Sequence, residues 1–203
     1  GMGRLLGALF RKGARWQWFA LALVLQPLIT LIVLELEQLL PGADLDFSAI
    51  PGMLTFVTYF AAMLATNVWE EIGWRGFALP RLQSRFSPLT SSLILGFFWS
   101  LWHLPLMLNP IEEMAALPIW AQLPYTLALS VLYTWLYNNA NGNLSVVTIF
   151  HAMTNAIALL ILWGHPNMTT HYLINVGITV LIAAGLAIYT MSPKVNQKKI
   201  MES

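Results

Sequence analysis

The sequence predicts an all-α protein, a polytopic bundle of about six transmembrane helices. Hydrophobic residues make up 58% of the 203 residues and charged residues only 9%, whereas soluble domains carry about 25% charged residues. Apolar runs of about 20 residues recur, which is the length that crosses a bilayer. The runs are solid rather than alternating, which indicates helices, because a helix satisfies its own backbone groups in lipid. So few charges leave no room for a soluble domain.

Six apolar runs are long enough to be read as one span each. The first is too long for a cleaved signal peptide and ends in Glu35 and Glu37, so we expect it to be retained. Glu70 and Glu71 close the second run. An acidic loop separates the third from the fourth, and a loop with histidines separates the fifth from the sixth. The predicted spans are 16–36, 53–69, 89–108, 118–137, 144–163 and 172–191.

Basic residues fall on one side of this six-span scheme, as the positive-inside rule requires of cytoplasmic loops. The ten are Arg4, Arg11, Lys12, Arg15, Arg75, Arg81, Arg85, Lys194, Lys198 and Lys199. The opposite loops carry Asp44, Asp46, Glu112 and Glu113 without Lys or Arg. We therefore expect both termini in the cytoplasm, and a bacterial inner membrane as the location.

The chain divides into three segments. Residues 1–15 form a basic amphipathic segment that is expected to lie on the membrane and meet anionic lipid, although a plain topology signal explains it equally well. Residues 16–191 form the transmembrane domain, with a catalytic core at about 53–163, and residues 192–203 form a cytoplasmic tail. The chain begins with Gly, and the sequence leaves open whether N-terminal helices are missing.

Two exclusions follow from composition. The chain has no Cys, which removes disulfides, thiolate nucleophiles and Cys-based zinc sites, so that any nucleophile must be an oxygen. The net charge of +1 indicates no nucleic-acid partner. The expected partners are the lipid bilayer and whatever the intramembrane polar residues bind.

Ionisable residues inside a span are costly and are functional candidates by default. Glu71 and Arg75 are four residues apart, so that they stack on one helix face and can form an ion pair. Glu70 lies about 100° around the helix from Glu71, and both carboxylates cannot share one guanidinium equally. One glutamate is therefore left free to act as a general base. The spacing does not say which.

Histidine and asparagine supply the other candidates. His103 lies inside the third span, where it is either functional or hydrogen-bonded to a neighbouring helix. His151 and Asn155 are four residues apart in the fifth span and present an imidazole and an amide on one face. Two such donors can hold an oxyanion or orient a water molecule.

Other residues have simpler interpretations. Gly73 and Gly76 allow close helix approach or a break, as does Gly96, and Pro80 limits how far the second helix continues. Trp69, Trp74, Trp99 and Trp102 are expected to be interfacial anchors or packing residues. Solvated loop positions are expected for Glu35, Glu37, Glu112, Glu113, His165 and His171.

Three motifs in this order resemble those of the CAAX prenyl protease and bacteriocin-processing family of intramembrane proteases, also called the Abi or CPBP family. The first motif, Glu-Glu-x-x-x-Arg, matches Glu70, Glu71 and Arg75. The second, an aromatic residue and a histidine four positions later, matches Trp99 and His103. The third, His-x-x-x-Asn, matches His151 and Asn155. The resemblance covers about residues 53–163.

The resemblance implies an intramembrane endopeptidase that acts on a hydrophobic or prenylated peptide. Glu70 and His103 would activate a water molecule, His151 and Asn155 would stabilise the oxyanion, and Glu71 with Arg75 would shape the site. A divalent metal such as zinc would need Glu70, His103 and His151 together as ligands. We favour a metal-free water activated by Glu and His.

Helix depth and two alternative functions remain open. Glu70 lies near one end of its span and His103 deep in the next, a mismatch that shrinks if the second helix continues past Gly73 within the protein. The same polar residues could merely lock the bundle of a membrane scaffold or bacteriocin-immunity protein. They could also relay protons in a coupled transporter, although the inverted repeat of many transporters is absent.

Overall fold

The computed structural model describes residues 3, 7–41, 51–165 and 167–189, and these are helical or lie in turns and loops. The long helices are α1 (Trp16–Gln38), α2 (Met53–Glu71), α4 (Pro88–Leu108), α5 (Ile119–Asn139), α6 (Leu144–Gly164) and α7 (Met168–Tyr189). A π-helix (Ile72–Ala78) and the short α3 (Leu79–Gln83) continue α2, and 3-10 turns occur at Ala8–Phe10 and Glu113–Ala116. The predicted helical bundle is confirmed, with each predicted span inside or close to one long helix.

Four helices are long and apolar enough to cross a membrane, namely Trp16–Gln38, Pro88–Leu108, Leu144–Ile161 and Met168–Tyr189. The predicted second and fourth spans, which correspond to α2 and α5, fall outside this group. Both carry polar residues that face the protein interior, such as Asn67 on α2 and Ser130 on α5. Helix α5 has 12 of its 21 residues buried, so it is an inner helix surrounded by others. The chain is an integral membrane protein in which α5 is shielded by its neighbours, whereas α2 buries only Asn67 and Glu71 and leaves most of its surface exposed or half-buried.

Helix α2 does not end at the glutamate pair. It runs on through the π-helix and α3 as far as Gln83, so the expectation that Pro80 limits the helix is wrong. Pro80 stands in the first turn of α3, where a residue needs no N–H donor. Gly76 lies so close to α6 that an added Cβ would be 3.0 Å from a methyl group of Leu144. This continuation keeps Glu70 and Glu71 within the protein rather than at a helix end.

The remaining helices pack around α5 and α6. Helix α4 packs on α5, α5 on α7, α2 on α6, and α1 on both α6 and α7. Gly96 permits the contact of α4 with α5, because an added Cβ would be 2.9 Å from the Cβ of Ser130. The Ser130 hydroxyl also donates to the carbonyl of Ser92 across the same contact, at 2.7 Å. These two close contacts set the position of α4 against the bundle.

The N-terminal segment docks against the turn between α5 and α6. The Ser145 hydroxyl donates to the Leu9 carbonyl at 2.6 Å, and the Asn143 amide donates to the Arg11 carbonyl at 2.8 Å. The end of the bundle where the N-terminal segment docks is called the proximal end. The opposite end, where α1 and α6 end and α7 begins, is called the distal end. Several residues of the predicted loops and termini lie outside the described residues, among them Arg4, Asp44, Asp46, Lys194, Lys198, Lys199 and the tail 192–203.

Candidate active site

An ion pair is buried where α2 passes into the π-helix. The Arg75 guanidinium donates to Oε1 of Glu71 at 2.7 Å, and both side chains are fully buried. The same carboxylate oxygen lies 2.8 Å from Nδ1 of His151 on α6. Since a carboxylate can only accept, Nδ1 of His151 carries the proton and its Nε2 is left for other partners. Glu71 therefore joins the first and third sequence motifs.

Two aromatic rings enclose the Arg75 guanidinium. Its central carbon lies 4.5 Å from the Trp99 ring centroid and 4.2 Å from that of Tyr133. Such cation–π contacts stabilise a desolvated guanidinium. The Trp99 and Tyr133 rings also meet the His151 ring edge to face, at centroid distances of 5.4 and 5.5 Å. Trp99 is thus a packing residue of the site rather than an interfacial anchor.

A cavity of about 660 Å³ opens beside this buried group. Glu70, His103, His151 and Asn155 all line it, although they come from three different helices. Glu71 and Arg75 do not line the cavity but lie behind it. The structure therefore brings four of the six sequence-derived candidates to one cavity and places the other two as support for His151.

His103 has a defined tautomer in this arrangement. Its Nδ1 lies 2.8 Å from the Trp99 carbonyl oxygen one turn earlier in α4, so Nδ1 donates and neutral Nε2 keeps a lone pair. Glu70 and His151 are close enough to His103 to interact with it electrostatically. Oε2 of Glu70 is buried and has no hydrogen-bond partner among the described residues. A carboxylate oxygen and an imidazole lone pair, both acceptors, thus adjoin the cavity.

Sequence reasoning missed two residues of the site. Asn67, on α2, is buried and accepts a hydrogen bond from the Asn155 amide at 3.4 Å, which ties α2 to α6. A polar amide side chain inside a predicted span is unusual, and this could have marked Asn67 as a candidate from the sequence. Tyr133 offered no comparable signal, because a single tyrosine in an apolar run is ordinary packing.

A second cluster lies at the distal end. Oε2 of Glu37 is 2.8 Å from Nδ1 of His171 and 3.2 Å from Nε2 of His165. The expectation of solvated loop positions is wrong for Glu37 and His171, which are buried, 3% and 7% exposed. The error arises because both residues stand at span ends, where water is the usual neighbour, whereas here the ends of α1 and α7 pack together.

The predicted metal set is not the one that the structure assembles. Among the described residues, the one group of three His, Asp or Glu side chains whose donor atoms all lie within 4.8 Å of one another is Glu37, His165 and His171. The three predicted ligands at the cavity, Glu70, His103 and His151, do not meet that distance as a set. The donor geometry thus separates the three predicted ligands from the place best arranged for an ion.

Comparison with known proteins agrees with the three motifs. A family model described as type II CAAX prenyl endopeptidase Rce1-like matches residues 52–157, about half of the chain. A curated relative, CAAX prenyl protease 2 of Methanococcus maripaludis, is 29% identical over 175 residues. That alignment covers 82% of this chain and 63% of the relative, so the chain spans less than two thirds of the relative's length. By the match over α2 to α6, where the site residues lie, the chain belongs to the Rce1-like family of type II CAAX prenyl endopeptidases.

Proposed function

We propose that this protein is an intramembrane endopeptidase that hydrolyses a peptide bond in a hydrophobic or prenylated peptide held at the membrane. The observation that carries the proposal is the convergence of Glu70, His103, His151 and Asn155 on one cavity within a helical bundle. These side chains supply two proton acceptors and two donors, the set that water-mediated amide hydrolysis needs. The family membership supports the same reaction class.

Glu70 and His103 activate the water in this proposal. A water molecule between them donates one hydrogen to the Glu70 carboxylate and the other to Nε2 of His103, which directs its oxygen lone pairs at the scissile carbonyl carbon. The C–O bond forms as one proton passes to Glu70. When the C–N bond breaks, that proton goes to the leaving amine and restores the carboxylate.

His151 and Asn155 stabilise the charge that develops on the carbonyl oxygen. Asn155 donates through its amide, and His151 donates through Nε2 while Nδ1 is held by Glu71. Donation from both ring nitrogens requires the imidazolium form, and the Glu71 carboxylate then lies between this imidazolium and the Arg75 guanidinium. Donors fixed before the reaction stabilise an oxyanion without reorganisation, typically by about 3 to 4 kcal/mol each.

The geometry favours Glu70 over Glu71 as the base, a choice that spacing alone left open. Oε1 of Glu71 is engaged by both Arg75 and His151, and Glu71 is fully buried behind the cavity. Glu70 lines the cavity and keeps an oxygen without a partner among the described residues. Glu71 and Arg75 are therefore positioning residues that orient His151.

The cavity lining supports a hydrophobic peptide as the substrate class. Alongside the polar groups it includes Met63, Leu106, Leu129 and Ile157, which would contact apolar side chains or a lipid group. The curated relative is named a CAAX prenyl protease, which supports a prenylated end in particular. A substrate anchored in the bilayer reaches such a site without leaving the membrane.

The test is cleavage of a membrane-anchored hydrophobic peptide by the purified full chain in lipid vesicles. Glu70→Gln and His103→Ala should each lower kcat/KM by a factor of about 100 or more, because each removes a proton-transfer group. Glu35→Gln is the matched control, since Glu35 is exposed on α1. That variant should cleave like the unmodified protein, and all three should unfold within a few degrees of it.

Wild-type cleavage rates in both Glu70→Gln and His103→Ala would reject the assignment. A scaffold role predicts a different result, in which these substitutions lower thermal stability and no cleavage is measured in any variant. A coupled transporter would instead show uptake driven by a pH gradient across the vesicle membrane. Cleavage, thermal stability and uptake, measured on the same set of variants, thus distinguish a protease from a scaffold and from a transporter.

A further inference from the structure

We propose that Glu37, His165 and His171 form a divalent-metal site, best suited to zinc, at the distal end of the bundle. The three side chains come from the last turn of α1, the loop after α6 and the first turn of α7. None of them belongs to the sequence motifs or to the hydrolytic residues at the cavity. The site is therefore independent of the reaction proposed above.

The donor atoms are spaced for one ion. Tetrahedral zinc at about 2.0 to 2.1 Å from each ligand holds the donor atoms roughly 3.3 Å apart. Oε2 of Glu37 is 2.8 Å from Nδ1 of His171 and 3.2 Å from Nε2 of His165, and all three donors lie within 4.8 Å of one another. The two distances from Glu37 therefore need to change by about half an ångström or less to reach ligand spacing.

Burial and charge give a second, independent argument. The side chains of Glu37, His165 and His171 are only 4%, 5% and 8% exposed. In the described part of the chain, the ion pairs of Glu37 are with these two histidines and not with Lys or Arg. A buried carboxylate needs a compensating positive charge. A divalent cation supplies it directly.

The ligand types select the metal. Two imidazoles and one carboxylate are a common zinc set, and they leave a fourth position for water. Harder cations such as Mg²⁺ and Ca²⁺ prefer all-oxygen sites. Since His171 also lines the cavity, water can reach the fourth position from there.

Metal binding must move the proton of each neutral ring from the ligating nitrogen to the other nitrogen. Without metal, Nδ1 of His171 donates to Glu37, and Nδ1 of His165 accepts from the Asn167 backbone N–H at 3.1 Å, which leaves the proton of neutral His165 on Nε2. A bound ion takes the place of these protons, the proton of His165 moving to Nδ1 and that of His171 moving to Nε2. The hydrogen bond given up is exposed, so water can replace it at a small cost.

Such an ion would fasten the distal end. It would link α1 to the start of α7, two helices that also pack against each other along their length. An ion that binds the folded chain and not the unfolded chain raises the unfolding temperature as its concentration increases. The ion would therefore stabilise the fold at the end of the cavity farthest from the N-terminal segment, while its fourth position stays open to water.

The test uses the purified full chain, stripped with a chelator, dialysed against ZnCl₂ and analysed for metal by mass spectrometry. We expect about one zinc per chain and an unfolding temperature that rises with zinc. Glu37→Gln and His165→Gln should each weaken zinc binding by a factor of about 10 to 100 or more, since even outer-shell changes have that effect. Glu37→Gln keeps the size and shape of the buried side chain, so that at least this variant should fold.

Two controls keep the result specific. Glu35→Gln changes an exposed carboxylate two residues from Glu37 and should retain zinc. His103→Ala removes a histidine of the catalytic cavity and should retain it as well. The proposal fails if the chain binds no zinc, or if zinc is lost in His103→Ala but kept in both Glu37→Gln and His165→Gln. Cleavage activity does not enter this test, so its outcome is separate from that of the proposed function.

Discussion

At the scale of single residues, Arg75 holds together the buried group of side chains behind the cavity. It is the largest fully buried side chain among the described residues. Its guanidinium pairs with Glu71 and lies against the rings of Trp99 and Tyr133. The planar cation thereby satisfies one buried carboxylate and two π faces at once, which an ammonium group cannot do.

Arg75→Ala is expected to destabilise the protein by about 3 to 5 kcal/mol, because it leaves the buried Glu71 carboxylate without its cation. Arg75→Lys should recover only part of this loss, since Lys keeps the charge but not the flat surface between two rings. Unfolding in detergent with increasing denaturant measures both. Arg81→Ala is the control, because Arg81 is exposed and bonds to its own helix backbone. Equal stability of Arg75→Ala and Arg81→Ala would contradict the role given to Arg75.

Spacing predicted part of this arrangement and not the rest. Residues four apart on one helix must be neighbours, so the Glu71–Arg75 contact followed from the sequence alone. The ring of Tyr133 and the imidazole of His151 reach the pair from α5 and α6, and their approach depends on how helices pack. The burial of Glu37 likewise depends on helix packing and could not be predicted from the sequence. Glu37 was expected in water because it ends a span, yet the packing of α7 buries it.

At the scale of helices, the close contact of α4 with α5 positions His103. An added Cβ at Gly96 would be 3.0 Å from both the Leu127 Cα and the Thr126 carbonyl oxygen, and backbone atoms cannot move aside as a flexible side chain can. Since Trp99 and His103 follow on the same helix, any displacement of α4 moves one wall of the cavity.

Gly96→Ala should therefore lower stability by about 1 to 3 kcal/mol, the usual cost of overpacking, and reduce cleavage as well. Gly185→Ala is the matched control, because a Cβ at this position of α7 meets nothing within 4 Å. There the substitution should be neutral or stabilising, as Ala has the higher helix propensity. Thermal unfolding and cleavage rates of the two variants give the comparison. If Gly96→Ala matched Gly185→Ala in both thermal stability and cleavage rate, the close contact of α4 with α5 would not be needed to position His103.

The existence of the helices was predictable, but the irregular stretch after α2 was not. Solid apolar runs of about 20 residues indicate helices whatever surrounds them, and all six appear. Hydropathy gave no sign that α5 would be shielded on most sides, since that depends on its neighbours. The π-helix at Ile72–Ala78 breaks the regular period on which sequence patterns rest. It is this segment that carries Arg75, and it continues α2 past Gly73, so that Glu70 and His103 line one cavity.

At the scale of the whole molecule, the two ends of the bundle differ in charge. The described Lys and Arg lie before α1, within the π-helix or between the π-helix and α4. The chain's path places these segments at the proximal end, where the N-terminal segment also docks. The positive-inside rule therefore predicts that the proximal end faces the cytoplasm.

This orientation can be tested with single cysteines, because the chain contains none of its own. Lys12 and Arg85 are exposed at the proximal end, and Ile111, which is 90% exposed, lies in the loop that joins α4 to α5. A membrane-impermeant maleimide should label Ile111→Cys in intact cells. Lys12→Cys and Arg85→Cys should react only after the membrane is opened, because their side of the bundle faces inward.

The two proximal positions serve as controls for each other, since one precedes α1 and the other follows α3. An odd number of membrane crossings between them would make one of them reactive in intact cells. Labelling of Lys12→Cys and Arg85→Cys in intact cells, with Ile111→Cys protected, would reverse the orientation. The basic loops would then face outward, against the charge rule, and the distal cluster of Glu37, His165 and His171 would lie on the cytoplasmic side.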